Sequence, residues 1–185
     1  MRRVQWVVTA LFMATSLDAT AQPEFGIGIS TFGPWGPQLK IPIEWPSSRL
    51  RIEPAFSYSS ATTDSSGLRV LPSTESQRRF DLQVVRIQPT SPEFQTVKGL
   101  RLARGWSRQE YSSMMGGAVP TSTSSQQYAQ LLGVIGLEYR INPKTFIAFE
   151  AGAGLNWSER NFGGSSASRE ISTTSSSSMS FRLMF

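Results

Sequence analysis

The sequence contains no histidine, no cysteine and only three lysines, Lys40, Lys98 and Lys144. Each absence removes a class of chemistry. Without imidazole there is no Ser-His-Asp triad and no histidine general base. Without thiols there is no cysteine nucleophile, no disulfide framework and no zinc site of the usual kind. Long apolar runs are scarce too, because hydrophobic residues make up only 39% of the chain. A bundle of transmembrane helices is therefore excluded, and no cofactor or metal is expected. The apolar stretch Val4–Leu17 is too short to cross a bilayer.

That stretch follows the basic start Met1-Arg2-Arg3 and precedes the small-x-small site Ala19-Thr20-Ala21. The order is that of a secretory signal peptide, so residues 1–21 are expected to be cleaved and 22–185 to form one exported domain. Arg2, Arg3 and Asp18 leave with the signal, which lowers the net charge from +5 to +4. An exported chain without cysteine must draw its stability from core or lipid burial.

The rest of the chain alternates with period two. Leu39, Ile41, Ile43 and Trp45 alternate with Gln38, Lys40, Pro42 and Glu44; Leu50, Ile52, Pro54, Phe56 and Tyr58 alternate with Arg51, Glu53, Ala55 and Ser57. The pattern recurs in 131–141, 147–157 and 179–185, and more weakly in 24–32, 79–87 and 97–107. Such alternation predicts β-strands with one apolar face, eight in number. The connections near 46–49, 88–95 and 142–144 are short; those near 59–78, 108–127 and 158–170 are long and rich in Ser, Thr and Gly. Gly33–Pro37 is the brief exception. Segregated short and long connections are expected of an outer-membrane barrel, with short periplasmic turns and longer outside loops.

Periodicity alone does not tell a soluble barrel from a membrane barrel, because the two differ only in which face points inward. Aromatic placement favours the membrane form. Trp45, Tyr139 and Phe185 lie near the short turns; Phe32, Tyr58, Phe80, Trp106, Tyr128 and Trp157 lie near the long connections, as two interfacial girdles would. The polar set opposite the apolar face is Lys40, Glu44, Arg51, Glu53, Asp81, Arg101, Glu138, Arg140, Glu150 and Arg182, five acids and five bases. Inside a narrow barrel these charges would pair, as buried ions must. Small glycines, Gly99, Gly133, Gly136, Gly152 and Gly154, lie among these strands, where glycine would relieve crowding in a narrow lumen.

The final stretch carries Met179, Phe181, Leu183 and Phe185 on one face. With the signal segment and the eight-strand pattern, the chain resembles the small eight-stranded outer-membrane β-barrels of the OmpA/OmpX type. The likeness is best in Gly136–Lys144 and Phe149–Gly154. The resemblance implies an all-β, antiparallel, up-and-down transmembrane barrel in a Gram-negative cell envelope. It also implies that Phe181, Leu183 and Phe185 form the signal read by the barrel-assembly machinery.

Enzymatic members of such families rely on histidine, so a non-enzymatic role is expected. An eight-stranded barrel is filled by its own side chains, which directs attention to the loops as sites of adhesion, surface packing or contact with an extracellular ligand. Arg78, Arg79, Arg104, Arg108 and Arg160 are expected at the outer rim against lipid phosphates, including those of lipopolysaccharide; their planar fork suits phosphate oxygens. Two alternatives stay open at this point: a soluble periplasmic, lipocalin-like barrel holding an apolar ligand, and a narrow outer-membrane pore. No basic patch with interleaved aromatics points to nucleic acid.

Overall fold

The computed structural model describes residues 22–31, 36–63, 73–112, 121–162 and 168–185. The expected signal segment 1–21, Phe32, and the tips of the three long connections lie outside the described residues. Nine antiparallel strands form a single sheet: β1 (Glu24–Thr31), β2 (Gln38–Lys40), β3 (Ile43–Trp45), β4 (Leu50–Thr63), β5 (Ser73–Pro89), β6 (Phe94–Ser112), β7 (Thr121–Asn142), β8 (Thr145–Phe162) and β9 (Ser168–Met184). β1 pairs with β9 and closes the sheet into a ring.

Eight expected strands became nine elements for a local reason. Gln38–Trp45 splits at Ile41-Pro42, because proline has no N–H to give to a ladder. The two halves, β2 and β3, still occupy one position in the wall between β1 and β4. The barrel therefore has eight wall positions.

The short turns are held by their own polar groups. Asn142 Oδ1 accepts the Lys144 N–H at 2.9 Å, and Ser91 Oγ accepts the Phe94 N–H at 3.0 Å. Arg49 closes the turn after β3 with a left-handed φ of 52°. The opposite connections differ from expectation. Most of 59–78, 108–127 and 158–170 is not loop: β4 through β9 continue through these Ser- and Thr-rich segments as paired strand. Polar sequence there reflects strand that projects beyond the apolar band, where both faces meet water.

The faces are inverted relative to a soluble protein. One hydrogen-bonded row runs Pro54, Leu82, Leu102, Leu131, Leu155, and these side chains point outward. The neighbouring row, Glu53, Gln83, Arg101, points inward. Leu102 is 41% exposed while Arg101 is 5% exposed, so a single step along β6 crosses from an open apolar wall to a closed polar interior. The row through Phe56 meets β9 at Ile171 in one direction and at Phe181 in the other, ten residues along. For eight wall positions this stagger corresponds to strands tilted by about 40°.

Candidate functional site

The interior is the part of the molecule where sequence places costly groups together. Alternation on a 14-residue strand puts Arg51, Glu53 and Ala55 on the inner face of β4. β7 contributes Glu138, β8 Glu150, β6 Arg101, β9 Arg182 and β2 Lys40. All of these charged side chains are buried. Isolated burial of any one would be prohibitive, so each must find an opposite charge.

Each does. Glu138 accepts hydrogen bonds from Arg51, from Arg182 and from Gln95, the last at 2.6 Å. Glu53 is bridged by Arg182, by Arg51 Nε at 2.6 Å and by Lys40 Nζ at 3.4 Å. Glu150 takes Arg101 Nη2 at 2.7 Å, Gln83 Nε2 at 2.9 Å and Lys40 Nζ at 3.1 Å. Arg101 Nε returns a hydrogen bond to Gln83 Oε1 at 2.7 Å. These contacts join β2 and β4 through β9 across the lumen into one network. Below it, toward the short turns, Val85, Ile87 and Val97 form a buried apolar cluster. Gly28 gives the network room, since a Cβ there would stand 2.7 Å from Arg182 Cγ.

Three expectations about single residues are corrected. Arg140 does not join the lumen: it is exposed beside the last short turn, its guanidinium 5.4 Å from the Phe146 ring centroid. The strand end frays from the parity rule there, where water is within reach of a long side chain. Arg79 does not sit at the outer rim. It is buried inside, with Nε 2.7 Å from Asp81 Oδ1 and its guanidinium 6.0 Å from the Tyr128 ring. Tyr128 likewise belongs to the interior and not to the outer girdle, and Gly105 opposite leaves the space its ring fills. Glu44 is only half-buried, at the turn-side end of the network, where it meets Arg51 at 3.4 Å. With Arg79 in place of Arg140, the interior still balances five acids against five bases.

Outside, Arg78, Arg104 and Arg108 line the upper wall and are exposed, Arg108 over most of its side chain; Arg160 is exposed as well but stands on the inward-facing row of β8 with Asn156, its Nη2 3.4 Å from Gln126 Oε1. Arg78 lies 5.9 Å from the Tyr58 ring centroid and Arg104 lies 5.0 Å from that of Trp106. A groove of about 530 Å³ on this outer wall is lined by Phe56, Arg78, Phe80, Trp106 and Arg108, among others. Phe181 and Leu183 point outward and pair with Ile29 and Ile27, so the closing seam is apolar on its outer side. Phe185 gives its N–H to Phe25 O at 2.7 Å. Among the described residues no cluster of His, Cys, Asp and Glu could hold a metal ion.

Gln38, Gln83 and Gln95 were not anticipated from the sequence. Gln38 donates to Asp81 at 3.2 Å, and the other two serve the glutamates. Parity was the available signal: Gln83 lies two residues from Asp81, and Gln38 two from Lys40.

A ring of tilted antiparallel strands with an ionic interior and an apolar exterior defines a β-barrel of the small outer-membrane class. Comparison with solved structures agrees on the fold. The chain is similar to a major outer membrane protein from Thermus thermophilus, with 12% identity over 89% of this chain and all of that one and a TM-score of 0.58. It is also similar to Neisserial surface protein A, with 14% identity, coverage of 88% and 94%, and a TM-score of 0.45. A third similarity is to CarO of Acinetobacter baumannii, with 8% identity, coverage of 89% and 98%, and a TM-score of 0.44. No protein-family model matches the chain, and no curated protein sequence matches it.

Proposed function

We propose that this protein is an integral outer-membrane barrel that conducts no solute and performs no catalysis, and that presents a surface for interaction at its outer end. The observation that carries this reading is the inverted wall, in which apolar rows face outward around the whole ring and buried ions face inward. A soluble lipocalin-like barrel needs the opposite arrangement to stay dissolved and to hold an apolar ligand. The ion network spans the lumen from β4 to β7 and from β2 to β8, which argues against a pore.

At the outer rim, Arg78, Arg104 and Arg108 serve as contacts for anionic lipid phosphates, lipopolysaccharide included, while Arg160 drops out of that set because it stands on the inward row of β8. Arginine forks backed by Tyr58 and Trp106 support that role. Phe181, Leu183 and Phe185 serve as the assembly signal for the barrel-assembly machinery. Arg79 is withdrawn from the rim set, since Asp81 holds it inside.

Cell fractionation tests the reading. Recovery with outer membranes, together with a folded band that shifts only on boiling, is the expected result; recovery in the soluble periplasmic extract would refute it. Planar-bilayer recordings should show no stable conductance. Lipopolysaccharide binding should weaken stepwise as Arg78, Arg104 and Arg108 are replaced by Ala.

A further inference from the structure

Among the described residues, the apolar outer wall is interrupted toward the short turns at one place. There β5 and β6 set Arg86 directly opposite Lys98, and both side chains are exposed on the outer face. Their hydrogen-bonded row runs Trp45, Leu50, Arg86, Lys98, Ile135. Facing side chains on such a ladder start about 5 Å apart, so two like charges there repel. No carboxylate relieves them. Every ion pair among the described residues lies in the lumen, or at Arg108 and Arg169 on the upper wall. Nor does either cation lie over an aromatic ring, as Arg78 and Arg104 do.

The pair stands just above the lower aromatic girdle. Trp45 ends its row on one side, and the Phe94 and Tyr139 rings, with centroids 5.1 Å apart, lie on the other. Phe94 is four residues below Lys98 on the same strand, which at the barrel's tilt is a drop of about 10 Å. A lysine or arginine side chain covers much of that drop, so its charge reaches the interface while its stem stays in hydrocarbon.

The side chains around the pair are ordered by height. Directly below, Gln88 faces Thr96; Thr96 Oγ1 donates to Gln88 O at 3.4 Å, which leaves the exposed Gln88 amide open. Directly above, Val84 faces Leu100 and Leu82 faces Leu102. The wall thus reads, from the short turns toward its middle, as polar amide, two cations, apolar ladder. A phospholipid of the leaflet on that side presents headgroup, phosphate and acyl chains in the same order.

We propose that Arg86 and Lys98 dock the phosphodiester of a net-anionic glycerophospholipid from the periplasmic leaflet, whose acyl chains lie along the ladder above them. Phosphate oxygens accept from the Arg86 fork and from the Lys98 ammonium together, which turns the repulsion between the two cations into a shared attraction. A zwitterionic headgroup fits less well, because its own ammonium adds a third positive charge. A second copy of the chain fits poorly too. Inserted the same way up, it brings no outward carboxylate to this depth among the described residues, since Glu110 and Glu159 stand on the upper wall. The site lies at the opposite end of the wall from the outer-rim arginines, and it rests on the membrane reading above.

The absence of cysteine makes a clean test available. A bimane fluorophore is attached at Ile135→Cys, beside Lys98 on its row and 62% exposed. A control label goes at Ile27→Cys, also outward and, by the stagger, at nearly the same level on the opposite side of the ring. Barrels are reconstituted into phosphatidylcholine vesicles carrying a small fraction of phosphatidylglycerol or phosphatidylcholine with a quenching nitroxide near the glycerol end of one chain. One basic residue near the surface gives about a fivefold preference for an anionic lipid. Nitroxide phosphatidylglycerol should therefore quench position 135 about fivefold or more as efficiently as nitroxide phosphatidylcholine, and the two should quench position 27 equally. Arg86→Gln and Lys98→Gln should each cut the preference severalfold, and together abolish it; the single variants serve if the double variant does not fold. Inorganic phosphate in excess over the lipid should leave the preference unchanged. Equal quenching by the two lipids at 135 in a fully inserted, heat-modifiable barrel would overturn the proposal and assign the cations to an acidic protein partner. So would a preference of the same size at 27, which would mean a general charge effect, or its loss with inorganic phosphate, which would mean a site for a soluble anion. Quenching by neither lipid at either position would instead defeat the membrane reading itself, and the docking site with it.

Discussion

Replacing Glu150 by alanine asks whether the interior network holds the barrel together. Glu150 is 4% exposed and accepts from Arg101 at 2.7 Å, Gln83 at 2.9 Å and Lys40 at 3.1 Å. At an effective dielectric of about 20 the two ion pairs are each worth about 5–6 kcal/mol in gross attraction. Desolvation of the three charges cancels most of that sum, so the intact network contributes little net stability. Removing one partner is a different matter. Arg101 then keeps only its hydrogen bond to Gln83, and Lys40 keeps only Glu53, at 3.4 Å. The desolvation cost stays while the attraction goes, and the expected loss is about 3–5 kcal/mol. Urea unfolding in vesicles, followed by tryptophan emission and by the heat-dependent gel shift, measures it. Glu150→Gln should lose less, since shape and one acceptor remain. A loss for Glu150→Ala below about 1 kcal/mol would refute the reasoning, because water would then have to reach the site.

Neighbouring arginines on β5 should behave oppositely in the same assay. Arg79→Ala leaves buried Asp81 with Gln38 but no cation and should cost about 2–4 kcal/mol, whereas Arg78→Ala on the exposed face should stay within about 0.5 kcal/mol. Gly105→Ala forces a methyl into the Tyr128 ring and should cost about 1–3 kcal/mol; an unchanged midpoint would mean that the ring is free to move aside. Leu131→Arg on the outward row should cost about 2–4 kcal/mol in vesicles if that row lies in lipid; a neutral effect would put the row in water. Arg140→Ala should be near neutral, consistent with its place outside the network, and a loss above about 2 kcal/mol would return it to the interior.

The fold was legible because strand periodicity is strict wherever one face is apolar. Leu50 to Tyr58 and Leu131 to Ile141 announce their faces residue by residue. Legibility ended where that contrast ended. Ser122–Gln127 and Ser172–Ser178 are polar on both faces, so composition read them as loop or left them undecided, and only long-range pairing to β6 and β8 reveals strand. Parity also located most of the lumen charges, because a buried ion repeats every second residue like any other inward group. It failed at Arg140, near the strand end; at Arg79 and Tyr128 parity pointed inward, and reading them by their height on the strand put them at the rim instead. For those two, residence at the top of the barrel and residence inside it are both open to a long polar side chain. Which charge meets which was not readable at all. The partners of Glu138 come from β4, β6 and β9, and the stagger that brings them together is a property of the closed ring.

Leu102 and Ala103 are adjacent on β6 and face opposite ways, one 41% and the other 5% exposed. Placing a nitroxide on Leu102→Cys and, separately, on Ala103→Cys in reconstituted vesicles tests the inverted barrel most directly. The account predicts that dissolved oxygen, which concentrates in lipid, relaxes the label strongly at position 102 and weakly at 103, while a water-soluble nickel chelate relaxes neither. Strong relaxation of the Leu102 label by the nickel chelate would show that the apolar wall faces water, and would contradict the account.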